Sequence, residues 1–452
     1  MKKIELEIKA LSPLAISRQK PGSSINETMD YIPGSVIRGA IAARIIQESG
    51  NESEDLSKAE NGGDFQALFL SENPAIFQNA YPAKNVEIKD NYAKKVKGKG
   101  KTKQPQNVET KNEIRTQKDV KVLPTTAVSS KTKPGFKSKD KPLENNGVFD
   151  TLIDRFCAEI NGCLYDPNCP VDGGRVEPFS GFYSYHQEKE KYYQHSTSKR
   201  LLTRTGINRK RATSEEEVLY SIEVINELQK VITEDKSKKN GELIFCSAIL
   251  VPDKLADSLA NFIKQRNDLF RFGNSKSRGL GKVEITAKVV DIKLNLEERI
   301  TDFNEQLKER WEKWQVFNNQ EEKQPSLKNR TYFTLDLQSD AILTENWQRT
   351  MVISPEMLQE FSGVEDSSLE LHVAYSSYDY LSGWNSAWGL MKDVELITRK
   401  GGVYLFSTKQ LEPWLEGLGK VENQGVGERT FEGFGQVIIC DEFHLIFREE
   451  AV

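Results

Sequence analysis

The sequence predicts an α+β chain of two ferredoxin-like domains, with a long lysine-rich insertion in the first. Three observations carry this reading. A glycine-rich turn, Arg271-Phe-Gly-Asn-Ser-Lys-Ser-Arg-Gly-Leu-Gly-Lys282, runs straight into an alternating apolar strand, Val283, Ile285, Ala287 and Val289. Near the C-terminus, Gly425-Val-Gly-Glu-Arg-Thr-Phe-Glu-Gly-Phe-Gly435 does the same before Val437-Ile438-Ile439. Each segment closed by such a turn opens on a strand of period two, and the second reads strand, helix, strand, strand, helix, strand. Two similar closing turns point to two copies of one domain, the alternative being two unrelated hairpin turns. The expected boundaries are 1–295 for the first domain with an insertion at about 84–141, 296–329 for a helical connector, and 330–452 for the second domain.

Composition narrows the class. A chain of 452 residues with 37% hydrophobic content can bury two domain cores. Lys+Arg 63 against Asp+Glu 67 leaves a net charge of −4, so any polyanion-binding footprint must be local. No run approaches the roughly 18 apolar residues of a membrane span, and Met1-Lys-Lys enters a strand instead of a signal-peptide core. Five cysteines make no disulfide framework in a chain this long. Together these predict a cytoplasmic protein with no membrane partner and no cofactor.

Along the chain, Ile4, Leu6, Ile8 and Ala10 alternate with charged residues as a half-buried strand. Ser35, after Pro33-Gly34, is a good N-cap for a helix carrying Ile37, Ile41 and Ile45, and Arg38 sits in its first turn. Such a helix start is a ready anion site. Residues 84–141 hold about 17 Lys/Arg against about 6 Asp/Glu and few apolar residues. The expectation is a solvated, disordered segment, either inert or a tethered RNA-binding arm. Leu152, Ile153, Phe156 and Ile160 follow helical spacing. Phe179, Phe182, Tyr183, Tyr185, Tyr192 and Tyr193, followed by Lys199, Arg200, Arg204, Arg209, Lys210 and Arg211, interleave aromatic planes with charge. That suits single-stranded nucleic acid, the alternative being a strand-rich surface edged by tyrosines. Residues 221–231 read as a helix or, from Ile222-Glu223-Val224, as the start of a strand. Residues 241–251 read as a core strand and 255–269 as an amphipathic helix. In the second half, strands are expected at 332–338, 369–375, 394–397 and 402–406, with short helices at 354–361 and 413–418.

The glycine turn at 273–282 is the centre of the chemistry. Gly273, Gly279 and Gly281 let backbone N–H groups turn inward, and Lys276, Arg278 and Lys282 add the charge a phosphate needs. It is no P-loop: no Ser or Thr follows Gly281-Lys282, and a strand comes next. Cys163, Cys169 and Asp172 lack the tight thiolate pairs of a zinc site, leaving buried thiols as the ordinary reading.

Tyr31-Ile-Pro-Gly-Ser-Val-Ile-Arg-Gly-Ala40, Thr203-Arg-Thr-Gly-Ile-Asn-Arg-Lys-Arg-Ala-Thr213 with Leu219-Tyr-Ser-Ile-Glu223, and Gly273-Asn-Ser-Lys-Ser-Arg-Gly-Leu-Gly-Lys282 together resemble the RAMP superfamily of CRISPR effector complexes. Glu177-Pro-Phe-Ser-Gly-Phe-Tyr183 and Ser382-Gly-Trp-Asn385 are most similar to its type III-D, Cas-five-like subunit. The resemblance spans Ile4 to Val437 apart from the lysine insertion. The family's thiolate segment stands here as Cys169-Pro-Val-Asp172-Gly-Gly, which lacks the second cysteine. What the resemblance implies is two RRM-type domains that bind guide RNA (crRNA), at its 5′ repeat-derived handle, and meet target RNA through the guide. Its expected partners are a large polymerase/cyclase-like subunit and backbone RAMP subunits. Phosphate would sit on Gly273, Lys276, Ser277, Arg278, Gly279, Gly281 and Lys282, and at Gly34, Ser35 and Arg38. Arg204, Arg209 and Arg211 would reach along the guide, with Arg429 in the second turn. Relatives that cut RNA use a loop aspartate or a histidine base, which puts forward Asp30 and His195. The expectation is a non-catalytic RNA-binding subunit, with ribonuclease and protein-only scaffold as the alternatives.

Overall fold

The computed structural model describes residues 1–18, 27–49, 65–83, 85–91, 110–116, 119–138, 144–187, 190–208, 213–232, 238–292, 294–317, 327, 329–385 and 390–452. The first half runs β1 (Lys2–Ala10), α1 (Gly34–Ser49), β2 (Ile76–Phe77) with β3 (Tyr81–Ala83), β4 (Ile244–Val251), α2 (Asp253–Gln265) and β5 (Val283–Val290). After α3 (Leu296–Trp314), the second half repeats the order: β6 (Thr331–Leu337), α4 (Pro355–Ser362), β7 (Glu370–Tyr375), β8 (Val403–Thr408), α5 (Leu411–Gln424) and β9 (Val437–Ile439). Both sheets are antiparallel. The first is ordered β5-β1-β4 with β2 and β3 on the far edge of β4; the second is ordered β9-β6-β8-β7. This is the ferredoxin-like arrangement, present twice.

Alternation decides which face is buried. Ile4, Leu6, Ile8 and Ala10 point to α1 and α2 and are nearly inaccessible, while Lys3, Glu5, Glu7 and Lys9 take the other face. Opposite them, α2 presents Ala256, Leu259, Ala260 and Ile263 at helical spacing. Each such Leu or Ile buried contributes about 1.5–3 kcal/mol.

The second core gathers β6, β8 and β9 with Leu296, Ile300, Phe303, Leu307 and Trp311 of α3. It also takes Leu152, Ile153 and Phe156 from the helix Leu152–Ile160, which lies between β3 and β4 in the chain. Residues 119–138 correct the expectation of a disordered insertion. Leu123, Ala127 and Phe136 join Val148, Phe149 and Tyr183 in a third apolar cluster with Phe443, Ile446 and Ala451 from the chain's end. The lysine run 94–103 lies outside the described residues. Two further expectations change. Residues 221–231 are strand, not helix, being part of the hairpin Lys199–Asn208 with Thr213–Ile225 and then of Leu228–Ile232. The helix expected at 413–418 extends through α5.

Candidate nucleic-acid interface

The two glycine turns share one backbone, position for position. In the first, Ser275 is left-handed (φ 57°), Lys276–Arg278 form a 3-10 turn, and Gly279 and Gly281 follow at φ 83° and 85°. In the second, Arg429 (φ 57°), Thr430–Glu432, Gly433 (φ 94°) and Gly435 (φ 62°) do the same. Matching bonds close each turn: Phe272 N–H donates to the Gly281 carbonyl at 2.8 Å, and Val426 N–H to the Gly435 carbonyl at 2.8 Å. Each is tied to the segment after its half's first strand. Asn274 N–H reaches Ala15 at 2.7 Å and Glu428 N–H reaches Ile342 at 2.9 Å.

What differs is what covers them. The second turn is seated on the start of α1 in the first half. The Asn79 side chain joins the two, accepting Gly34 N–H at 2.8 Å and donating to the Gly433 carbonyl at 3.0 Å. Arg38 lies with its guanidinium 5.0 Å from the Phe431 ring and 5.4 Å from the Phe69 ring, and donates to the Phe69 carbonyl at 2.8 Å. Burial lowers its pKa, offset in part by Glu432. Arg429 pairs with Glu432 and, at 3.5 Å, with Glu395. The helix start is therefore not an open anion site. Gly34 has no room for a side chain beneath the Phe77 and Glu432 carbonyls, and Ser35 stands inside the first turn, with the Pro33 carbonyl accepting Val36 and Ile37 N–H. Gly34 and Arg38 form the junction between the halves, while Arg429 is paired within the second half.

The first turn is open. Lys276, Ser277, Arg278, Gly279 and Lys282 are exposed, and no carboxylate among the described residues pairs with Lys276, Arg278 or Lys282. Partial desolvation by the surrounding turn, without a counter-charge, pulls the Lys276 ammonium below its ordinary value. The turn's own backbone is largely spent: Asn274, Arg278, Gly279 and Gly281 N–H groups donate to Ala15, Ser275, Lys276 and Pro13. Side chains, not a cradle of backbone N–H groups, are what this turn offers an anion. Above it stands the hairpin Lys199–Asn208 and Thr213–Ile225, whose Leu202 and Ile222 pack on Leu280. Arg204 contacts the turn directly, whereas Arg209 and Arg211 lie outside the described residues.

The remaining candidates are occupied or enclosed. Asp30 is ion-paired with Lys199 at 2.7 Å. His195 is 2% exposed, with Nε2 2.7 Å from Ser184 Oγ, so it cannot meet RNA as a base. Asp172 accepts from Gly174, Thr132 and Asn146 at 2.9, 2.8 and 2.7 Å, and the bonds from Gly174 N–H and Thr132 hold its carboxyl well below the usual range. Cys169 is buried, Cys163 Sγ faces the Asn161 and Phe317 carbonyls, and among the described residues no three His, Cys, Asp or Glu side chains converge as metal ligands. Phe182 and Tyr183 are buried and Tyr192 stacks on Phe136, so these aromatics build core instead of a stacking platform. The sheet face opposite the first core carries no aromatic on β1, β4 or β5. It lines a cleft of about 870 Å³ with Lys3, Glu5 and Lys288 facing Gln338, Gln436 and Ile438 of the second half. Tyr81 of β3 also lines the cleft, but it is buried with its hydroxyl donated to the Gln338 carbonyl, so it offers no open ring for base stacking of the RRM kind.

With the repeat and its two turns in place, comparison with known proteins gives the lineage. The RAMP superfamily model matches residues 7–284. The chain belongs to the RAMP superfamily. No curated protein matches it in sequence. Among solved structures, a chain of the type III-B Cmr-beta complex bound to cognate target RNA and AMPPnP is 12% identical, with 89% of this chain and 86% of that chain covered and a TM-score of 0.37. The same complex bound to cognate target RNA gives 12% and 0.35 over the same shares. A Cas6 substrate mimic complex gives 12% and 0.26, over 45% of this chain and 82% of that one. Among the described residues of this RAMP protein, no helix is long and apolar enough to cross a membrane.

Proposed function

We propose that this RAMP protein is a guide-RNA-binding subunit of a type III CRISPR effector complex, of the type III-D, Cas-five-like kind, which holds the 5′ repeat-derived handle. The observation that carries this reading is the contrast between two like turns. One is covered by the other half of the chain, and its charges face carboxylates. The other is exposed, with Lys276, Arg278 and Lys282 unpaired by any described carboxylate and Ser277 beside them. Phosphates of a single strand would take these four side chains, and target RNA would meet the chain through the guide. The other effector subunits are its partners, in the cytoplasm. The role is binding, not cleavage: Asp30 is held by Lys199 and His195 is enclosed.

The test is RNA binding across a salt series. Replacing Lys276, Arg278 and Lys282 by alanine together lowers affinity and makes the slope of log K against log salt shallower by about 2, three contacts at roughly 0.7 each. An unchanged slope in a folded variant would contradict the assignment.

A further inference from the structure

The hairpin above the first turn grips one residue of it from two sides. Arg204 and Tyr220 are cross-strand partners and so project from the same face. Nearer the hairpin base, Leu202 and Ile222, another cross-strand pair on that face, pack on Leu280 of the turn, with Ala15 and Val224. Arg204 donates Nη1 and Nη2 to the Arg278 carbonyl at 3.1 and 3.2 Å. Arg278 in turn donates Nη1 to the Tyr220 hydroxyl at 2.6 Å and lies with its guanidinium carbon 5.5 Å from the Tyr220 ring centroid. One of the five N–H donors of Arg278 is thus used to fix its direction, and the rest of the fork stays available for an anion. Arg204 also brings a second cation to the turn, and no described carboxylate pairs with either arginine. Two like charges gathered without an acid are unfavourable in the free chain, and an arriving phosphate offsets that cost.

We propose that Arg204 and Tyr220 are positioning residues: they touch no RNA but hold Arg278 in the pose that binds phosphate, making hairpin and turn one preassembled grip. This rests on the RNA reading of the turn and adds a division of labour to it. Arg204 is spent on a main-chain oxygen, and Arg278 makes the contact.

The experiment uses the full chain and a labelled single-stranded RNA of mixed sequence, titrated across a salt series, with thermal melts to confirm folding. Arg278→Ala weakens binding and flattens the salt slope by about 0.7. Arg204→Ala and Tyr220→Phe each weaken binding roughly two- to tenfold, the worth of one hydrogen bond, with the slope unchanged. Neither adds to the loss in the Arg278→Ala background. Arg204→Gln, which keeps a donor for the Arg278 carbonyl without the charge, recovers most of the affinity. The proposal is overturned if Arg204→Ala and Arg204→Gln both flatten the slope and their losses add to that of Arg278→Ala, because Arg204 is then a phosphate contact itself. It is also overturned if the Arg204 and Tyr220 variants bind as the parent does. If Arg278→Ala changes neither affinity nor slope, the RNA reading of the turn fails, a result separate from how Arg204 behaves.

Discussion

Gly435 and Gly279 occupy the same kind of left-handed backbone with different surroundings. A Cβ on Gly435 would overlap the Val426 carbonyl, whereas a Cβ on Gly279 meets nothing within 4 Å. Gly279→Ala therefore costs only the conformational penalty, about 1–2 kcal/mol. Gly435→Ala adds a clash with backbone that cannot move aside, so its unfolding midpoint in urea falls further. Equal midpoints for the two variants would contradict the close approach of the Val426 carbonyl to Gly435. The glycines were legible in the sequence, since glycine takes positive φ angles at the least steric cost. Ser275 and Arg429, left-handed without being glycine, were not. Nor was the enclosure of His195, which depends on Ser184 across a hairpin whose burial no local pattern reveals.

At the scale of elements, the junction between the second turn and α1 turns on Asn79. It satisfies Gly34 N–H and the Gly433 carbonyl from a buried position. Asn79→Ala leaves both unmet and costs roughly 1–3 kcal/mol. It also loosens the halves, so limited proteolysis separates them sooner than in the parent. Cleavage at the parent's rate would show that Asn79 does not hold the junction. The strands opening each half, the core strand Ile244–Val251 and the glycine turns could be read from period and composition. The folded part of the insertion could not. Leu123, Ala127 and Phe136 find their apolar partners at Phe443, Ile446 and Ala451, far along the chain, and a lysine-rich window gives no hint of them. The strand Thr213–Ile225 was ambiguous for a related reason. Ile222, Val224 and Ile225 fit either period, and pairing with Lys199–Asn208 decides it.

Across the whole molecule, a buried ionic cluster ties the middle segment to the second sheet. His444 Nε2 is 2.8 Å from Asp336 Oδ1, and its Nδ1 is 3.2 Å from Asp150 Oδ1. Asp441 accepts from the Tyr183 hydroxyl at 2.8 Å and faces Lys121 at 3.3 Å. Burial alone would lower the His444 pKa, but Asp336 and Asp150 outweigh it and hold the imidazolium well above its ordinary value. A raised folded pKa contributes stability that is complete below about 6.5, the unfolded value, and is lost as pH rises through the folded value. Thermal midpoints of the parent should fall on going from neutral to alkaline pH more steeply than those of His444→Gln. Parallel profiles would mean that His444 is not charged in the fold.

The charge of this chain is nearly balanced overall, so the proposed RNA binding rests on which of two turns of like backbone the fold leaves uncovered. The deciding measurement is the RNA that co-purifies with the tagged chain from its native host after a high-salt wash, for the parent and for the Lys276, Arg278 and Lys282 triple alanine variant. The account predicts small RNAs sharing one repeat-derived 5′ end with the parent, and their loss from the variant while partner subunits remain. A folded, partner-bound parent without RNA, or equal RNA on both proteins, would contradict it.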